Sequence, residues 1–305
     1  MTISPDYLIE RKLQRRNLML WKLAAICLFV TSIATIIVKR QENTSSKYIS
    51  SGKYIASVLI DEIIFEDTKR DKKLEKIIDD EQISALIVHV NSPGGTVVGS
   101  EKIYNILRKI SEKKPVAVVM GTLAASGGYL ISLGGDYIVS HNGTITGSIG
   151  VIFQTLEVTD LAQKLGITFN NFKSGELKAA PNPTEKVTQA VREAIMLNIE
   201  DTYNYFVELV ASRRGLPIEE VKKLADGRIY SGRQALQLNL VDAVGTQDDA
   251  IKWLQDTKKV DKNLKVREFK IKPRTKFLEM LLDDVDNMLL NIFNNKLQGN
   301  KAVLQ

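Results

Sequence analysis

The chain has 305 residues, 44% hydrophobic and 26% charged, with a formal net charge of +6, which leaves room for one large packed domain plus appendages. The positive excess is confined to the start: residues 1–40 carry seven Lys/Arg against two Asp/Glu, and the rest of the chain carries 35 against 34, so no basic footprint for nucleic acid is expected. One cysteine, Cys27, and two histidines, His89 and His141, exclude disulfides, a thiol nucleophile in the soluble part and a multi-histidine zinc site; no metal or cofactor is expected.

Residues 1–17 form a basic tail with Arg11, Lys12, Arg15 and Arg16. From Leu18 to Val38 the chain is almost all apolar, with Lys22 its only charge, and about 20 such residues cross a hydrocarbon core of about 30 Å. Lys22 and Trp21 suit one interface. A cleavable signal peptide would have a shorter apolar stretch and small residues at a cleavage site; here Ile36, Ile37 and Val38 run straight into Lys39 and Arg40. An uncleaved single-pass anchor is expected, touching membrane lipid. The basic flank puts the N-terminus in the cytoplasm and the main domain outside it. Residues 39–53 are a polar, Ser-rich linker.

The domain at 54–261 begins with short apolar runs alternating with helical patterns. Tyr54–Ile64, Ala85–Val90 and Val116–Met120 read as buried strands, and Val97–Lys113 has helical spacing. This βαβ succession predicts an α/β domain with a largely parallel sheet. Thr184–Arg214 reads as one long amphipathic helix with Val187, Val191, Ile195 and Ile199 on a stripe. The tail at 262–305 starts strand-like and then turns helical, with Leu278, Leu281, Val285, Met288 and Ile292 as a docking stripe. Asp283, Asp284 and Asp286 on its other face argue against a lipid surface.

Three segments can carry chemistry. Asn91-Ser92-Pro93-Gly94-Gly95 joins a strand to a helix; its glycines leave N–H groups uncovered where an oxyanion could form, although tight βα turns also use them. Ala124-Ala125-Ser126-Gly127-Gly128-Tyr129 follows another strand. There the Ser126 hydroxyl is open to a substrate carbonyl with the Gly127 N–H beside it, a logic like that of a nucleophile elbow. A lone serine among small residues is also what close packing produces. The base is harder to find, because neither histidine has an acidic orienting partner in its motif. A lysine serves if its pKa falls several units from about 10.4, which demands a dry, enclosed site. In Lys173-Ser174-Gly175-Glu176-Leu177-Lys178-Ala179-Ala180-Pro181, composition leans to Lys178 over the more polar Lys173 without deciding between them.

Taken in order, NSPGG at 91–95, AASGGY at 124–129, TGSIGV at 146–151, KSGELK at 173–178 and DGRIYSGRQALQLNLVDAVG at 226–245 resemble the signal peptide peptidase A (protease IV) family in its short, single-domain form. The likeness covers roughly 55–250 and implies a Clp protease/crotonase-like α/β fold, here with an N-terminal transmembrane helix and a C-terminal helical tail. It implies Ser126 as nucleophile, Lys178 as general base, and Ser148 as the hydroxyl that orients the lysine amine. The oxyanion donors fall on Gly127 and the Gly94–Gly95 turn. Ala179 departs from the Asp or Ser that relatives often carry after the base. Asp226, Arg228 and Asp242 are read as structural.

The expected protein is therefore a membrane-anchored serine endopeptidase of the bacterial inner membrane. It would hydrolyse apolar peptides such as signal-peptide remnants, as a homo-oligomer whose serine and lysine can come from adjacent subunits. The rivals are a crotonase-type acyl-CoA enzyme, a Clp-type Ser–His–Asp protease and a catalytically inactive membrane scaffold.

Overall fold

Strand β1 (Tyr54–Ile64) pairs in parallel with β2 (Ile83–Gly95), and β2 with β3 (Val116–Ala125). The computed structural model describes residues 21, 22 and 52–271. Residues 1–52 and 53–305 form two separate units, and the sheet with its helices belongs to the second. The three central strands are rich in Val, Ile and Ala, as a sheet covered on both faces requires. Alternation sorts their side chains: Leu86, Val88, Val90, Val116, Val118 and Met120 enter one core, and Ala85, Ile87, Ala117 and Val119 the other.

The larger core is closed by α1 (Thr68–Asp79) through Leu74 and Ile77, and by α2 (Val97–Ser111) through Ile103, Leu107 and Ile110. The short α3 (Gly127–Ser132) adds Tyr129, Leu130 and Ile131. Asp67 caps α1 by accepting from the N–H groups of Lys69 and Arg70, and Thr96 caps α2 by accepting from Gly99 N–H. On the other face Ala250 and Leu254 of α8 (Gln247–Asp256) cover the smaller core. Its Tyr137 and Trp253 rings stack with centroids 4.8 Å apart.

Strand β3 forks. Its first half pairs with β4 (Tyr137–Ser140) at Ala117–Val119, and its second half pairs with β5 (Ile145–Gly147) at Leu123–Ala125. The separation falls at Gly121, whose carbonyl accepts from Thr144 Oγ1 at 2.7 Å. β5 continues antiparallel into β6 (Ile229–Ser231), β4 pairs with β7 (Ala243–Val244), and β8 (Val266–Glu268) borders β1. The expected parallel α/β sheet is thus present with one antiparallel pair. The fork delivers the end of β3 to a surface bounded by β2 and β5.

Between β5 and the long helix α5 (Gln189–Arg214) lies a self-contained excursion. It holds one short helix, α4 (Thr159–Lys164). Apart from the cap that Thr188 gives α5, every side-chain hydrogen bond and ion pair found for residues 151–188 closes within it: Lys173–Glu185, Asn171–Thr184, Glu176–Thr188 and Asp160–Lys186 among them. It leaves Ile152, Leu156, Leu161, Leu165 and Phe172 largely exposed, the last at 99%.

The predicted helix 184–214 starts five residues later than expected, because Asn182 turns the chain with its own Oδ1 accepting from Thr184 N–H and Oγ1. Thr188 then caps α5. The predicted stripe holds at Val191, which is buried, but not beyond it. The core is filled by Phe206, Val207, Val210 and Ala211, while Ile195 and Ile199 are only half-buried. Arg213 ties this C-terminal half down by donating to the carbonyls of Leu133 and Gly135. The small helices α6 (Ile218–Leu224) and α7 (Gly232–Gln237) complete the far side. Asp242 accepts from Ile138 N–H and pairs with Arg214, the structural role expected of it.

No helix among the described residues is long and apolar enough to cross a membrane. The expected span 18–38 lies outside them except for Trp21 and Lys22, as does the helical part of the C-terminal tail.

Candidate active site

The NSPGG segment is built by its side chains as much as by its glycines. Where the β2–β3 ladder shifts register after Val90, Asn91 Oδ1 accepts from Leu123 N–H at 3.1 Å and fills the gap. Ser92, fully buried, donates from Oγ to the Glu62 carbonyl at 2.5 Å and accepts from Gly94 N–H at 3.1 Å. Gly94 has φ +106°, which side chains rarely tolerate, and the turn it makes presses against the end of β3. A Cβ on Gly94 would lie 2.7 Å from Gly127 N and 3.0 Å from Ser126 Cβ.

Ser126 sits at the first turn of α3 with φ 51° and ψ −120°. This strained conformation is held from both sides: its N–H donates to Gly147 O at 2.8 Å and its carbonyl accepts from Leu130 N–H at 2.9 Å. Its hydroxyl makes no hydrogen bond among the described residues and the residue is half-exposed. Gly127 follows at the helix N-terminus, where its N–H has no intrahelical acceptor. A Cβ there would lie 3.1 Å from Gly95 N and 2.3 Å from Ser100 Oγ, so the amides of Gly95 and Gly127 adjoin each other.

The two amides of the Gly94–Gly95 turn have different roles. The Gly94 N–H is taken by Ser92 Oγ. In the ladder with β1 it is Thr96, not Gly95, that donates to Ile64 O, at 2.8 Å. The Gly95 N–H is left out of both bonds, and its nitrogen lies close against Gly127.

Ser148 adjoins from β5. Gly147 carries the acceptor for Ser126 N–H, and Ser148, itself at φ 49°, donates its N–H to Arg228 O at 2.8 Å. Ser126 and Ser148 line one cavity of about 710 Å³ with Met196, Ile199, Glu200 and Tyr203 of α5 and with Asp226. The Asp226 carboxyl is held below its usual range by hydrogen bonds from the Arg228 side chain, as an exposed ion pair at the rim.

Lys178 is not brought to this cavity. It stands on the 151–188 excursion, where its N–H donates to Gly175 O at 3.1 Å and its exposed side chain makes no hydrogen bond or ion pair among the described residues. Lys173 differs: it is mostly buried and ion-paired with Glu185, whose carboxyl it pulls below the usual range. A paired ammonium is a poor base. The dry, enclosed site a lysine base requires is not supplied around Lys178 by one copy of the chain.

The histidines line neither the cavity nor its neighbourhood of glycines. His89 Nε2 lies 2.8 Å from Gln247 Oε1, and burial pushes its imidazole down in pKa. Among the described residues there is no group of His, Cys, Asp and Glu that could hold a metal. Sequence reasoning missed Asn91, Ser92 and Ser100 as the builders of this corner. Asn91 and Ser92 stood within a motif whose glycines drew the attention, and Ser100 carried no local signal at all.

Residues 108–261 match Peptidase family S49. The chain is 40% identical over 205 residues to a putative protease of Synechocystis sp., covering 67% of this chain and 74% of that one. It is 39% identical over 197 residues to a putative protease of Methanocaldococcus jannaschii, covering 63% of each. It is 40% identical over 189 residues to a putative signal peptide peptidase SppA of Enterococcus faecium, covering 62% of this chain and 55% of that one.

Proposed function

From the premise that the chain belongs to peptidase family S49, as a serine peptidase of the signal peptide peptidase A family, we propose that it is a membrane-anchored Ser–Lys endopeptidase with Ser126 as nucleophile and Lys178 as general base. The observation that carries the reading is the unbonded Ser126 hydroxyl beside the free amides of Gly95 and Gly127. Neutral Lys178 takes the Ser126 proton as Oγ attacks the scissile carbonyl. The two amides hold the oxyanion, and the protonated lysine passes its proton to the leaving amine. Water then attacks the ester, with Lys178 again accepting and returning a proton, and Ser126 is regenerated. Ser148 hydrogen-bonds the amine and aims it at Oγ.

Because Lys178 is exposed on one copy, the reading includes assembly. The 151–188 excursion of one subunit covers the cavity of its neighbour, burying Leu161, Leu165 and Phe172 together with the lysine, and the serine and lysine of each site come from different subunits. The forked sheet is read as the Clp protease/crotonase-like arrangement. The anchor at 18–38 fixes the assembly in a bacterial cytoplasmic membrane with the peptidase domain outside the cytoplasm. There the substrates are apolar peptides, signal-peptide remnants among them. A Ser–His–Asp reading lacks a histidine at the cavity, and a scaffold would have no use for a strained, unbonded serine.

The test is labelling of the purified full chain with a fluorophosphonate, followed by peptide cleavage. Labelling that is lost in Ser126→Ala, and cleavage that is lost in Lys178→Ala, are expected. Labelling retained in Ser126→Ala refutes the nucleophile, and full cleavage by Lys178→Ala refutes the base.

A further inference from the structure

The ladder between β1 and β2 loses a donor just before the Gly94–Gly95 turn. Ile55 N–H donates away from β2, to Lys265 O, and Thr96 N–H donates to Ile64 O, so the even-numbered residues of β1 face β2. With Asp61 opposite Asn91, the same alternation would bring the N–H of residue 93 to the Glu62 carbonyl. Residue 93 is a proline and has none. The register then slips, so that Ile63 pairs with Gly94 and β2 carries one residue more than β1. The Ser92 hydroxyl fills this gap. It donates to Glu62 O at 2.5 Å and accepts from Gly94 N–H at 3.1 Å, and the residue is fully buried, out of reach of bulk water and of substrate.

Three residues with positive φ follow one another across this corner: Glu62 at 61°, Gly94 at 106° and Ser126 at 51°. Such conformations persist where their surroundings over-determine them. Ser92 bonds the first two directly. The second presses on the third, since a Cβ on Gly94 would lie 3.0 Å from Ser126 Cβ and 2.7 Å from Gly127 N. Alanine in place of Ser92 would free the Glu62 carbonyl and the Gly94 N–H together, and the turn that carries the Gly95 amide would lose this tie to β1. We infer that Ser92 is a positioning residue for the peptidase reaction, holding the Gly95 amide beside that of Gly127. The inference rests on the Ser126 reading above. It gives the hydroxyl a kinetic task beyond the structural one of replacing the donor that Pro93 lacks.

The experiment compares Ser92→Ala, the double variant Ser92→Ala/Pro93→Ala and Tyr129→Phe with wild type, each as the assembled full chain, by peptide kinetics and urea unfolding. Removal of an oxyanion donor costs about 10²–10³ in kcat, and a donor displaced but still present should cost part of that. Ser92→Ala should lower kcat about 10–100-fold with KM within about twofold of wild type, and should lower the urea midpoint. Tyr129→Phe removes a different buried bond, to Leu240 O, and should lower the urea midpoint without that loss of kcat. In the double variant residue 93 regains an N–H for the Glu62 carbonyl. Its midpoint should recover towards wild type while kcat stays low, because the Gly94 N–H is still unheld. Should Ser92→Ala be too unstable to assay, the double variant carries the kinetic test. A Ser92→Ala kcat within about twofold of wild type, a rise in KM in place of the fall in kcat, or a kcat that returns together with stability in the double variant overturns the inference and leaves the peptidase reading standing. No cleavage by wild type together with no fluorophosphonate labelling overturns both.

Discussion

Gly94→Ala isolates the contribution of shape to the proposed oxyanion site. Gly94 donates nothing to the substrate, since its N–H is held by Ser92 Oγ. Its φ of +106° costs any other residue of order 1–3 kcal/mol. The added methyl would stand 2.7 Å from Gly127 N, 3.0 Å from Ser126 Cβ and 3.1 Å from Ala125 O, and two of these three neighbours are backbone, with no flexible end to swing aside. Relief must displace the 94–95 turn from the start of α3, which separates the Gly95 and Gly127 amides. Loss of one oxyanion donor costs about 10²–10³ in kcat, or about 2.7–4 kcal/mol. We therefore expect kcat/KM to fall by at least about 100-fold while global stability drops by about 1–3 kcal/mol. Peptide kinetics and urea unfolding of the same preparations measure the two quantities. Gly143→Ala, where nothing lies within 4 Å of the new methyl, should leave both unchanged. A folded Gly94→Ala enzyme with more than half of the wild-type kcat/KM would refute the reasoning.

If serine and lysine come from different copies, Ser126→Ala and Lys178→Ala proteins, each inactive, should regain roughly a quarter of wild-type activity when coassembled in equal amounts by random pairing around a ring; no recovery in verified mixed oligomers would place both residues in one copy. His89 is held neutral by burial, so its folded pKa lies below the unfolded value of about 6.5, and stability should fall as pH drops from about 6.5 towards the folded pKa. Urea midpoints at two pH values on either side of that onset should show a smaller loss in His89→Gln than in wild type. Tyr129→Phe should cost about 1–3 kcal/mol in urea unfolding, because the fully buried hydroxyl is the donor to Leu240 O at 2.9 Å.

The central sheet was legible because its strands carry their own signal. Runs such as Ala85–Val90 are apolar on both faces, and only the ends, where β2 continues through Pro93 and Gly94 to Gly95, escaped the pattern. Ser126 stood out as the proposed nucleophile only through the order of several motifs, since a serine among alanines and glycines looks like packing. Two things could not be read. The stripe on α5 was right at Val191 and wrong at Ile195 and Ile199, because periodicity does not say which turns of a long helix meet the core. The ion pair of Lys173 with Glu185 is the other, because a loop of no regular pattern brings that carboxylate back beside the lysine. The fork in β3 likewise hinges on Gly121 and on a hydroxyl, Thr144, that comes from a later turn.

The closed bonding of residues 151–188 also bears on how such a protein can diversify. Folding energetics of the sheet and its helices make few demands on an excursion whose polar groups satisfy one another. In the proposed assembly its apolar side chains are open to drift under a different selection, that of matching the cavity they cover on a sister copy. Two duplicated genes in one cell could diverge there first and sort into separate homotypic assemblies, while the corner around Ser126 stayed unchanged.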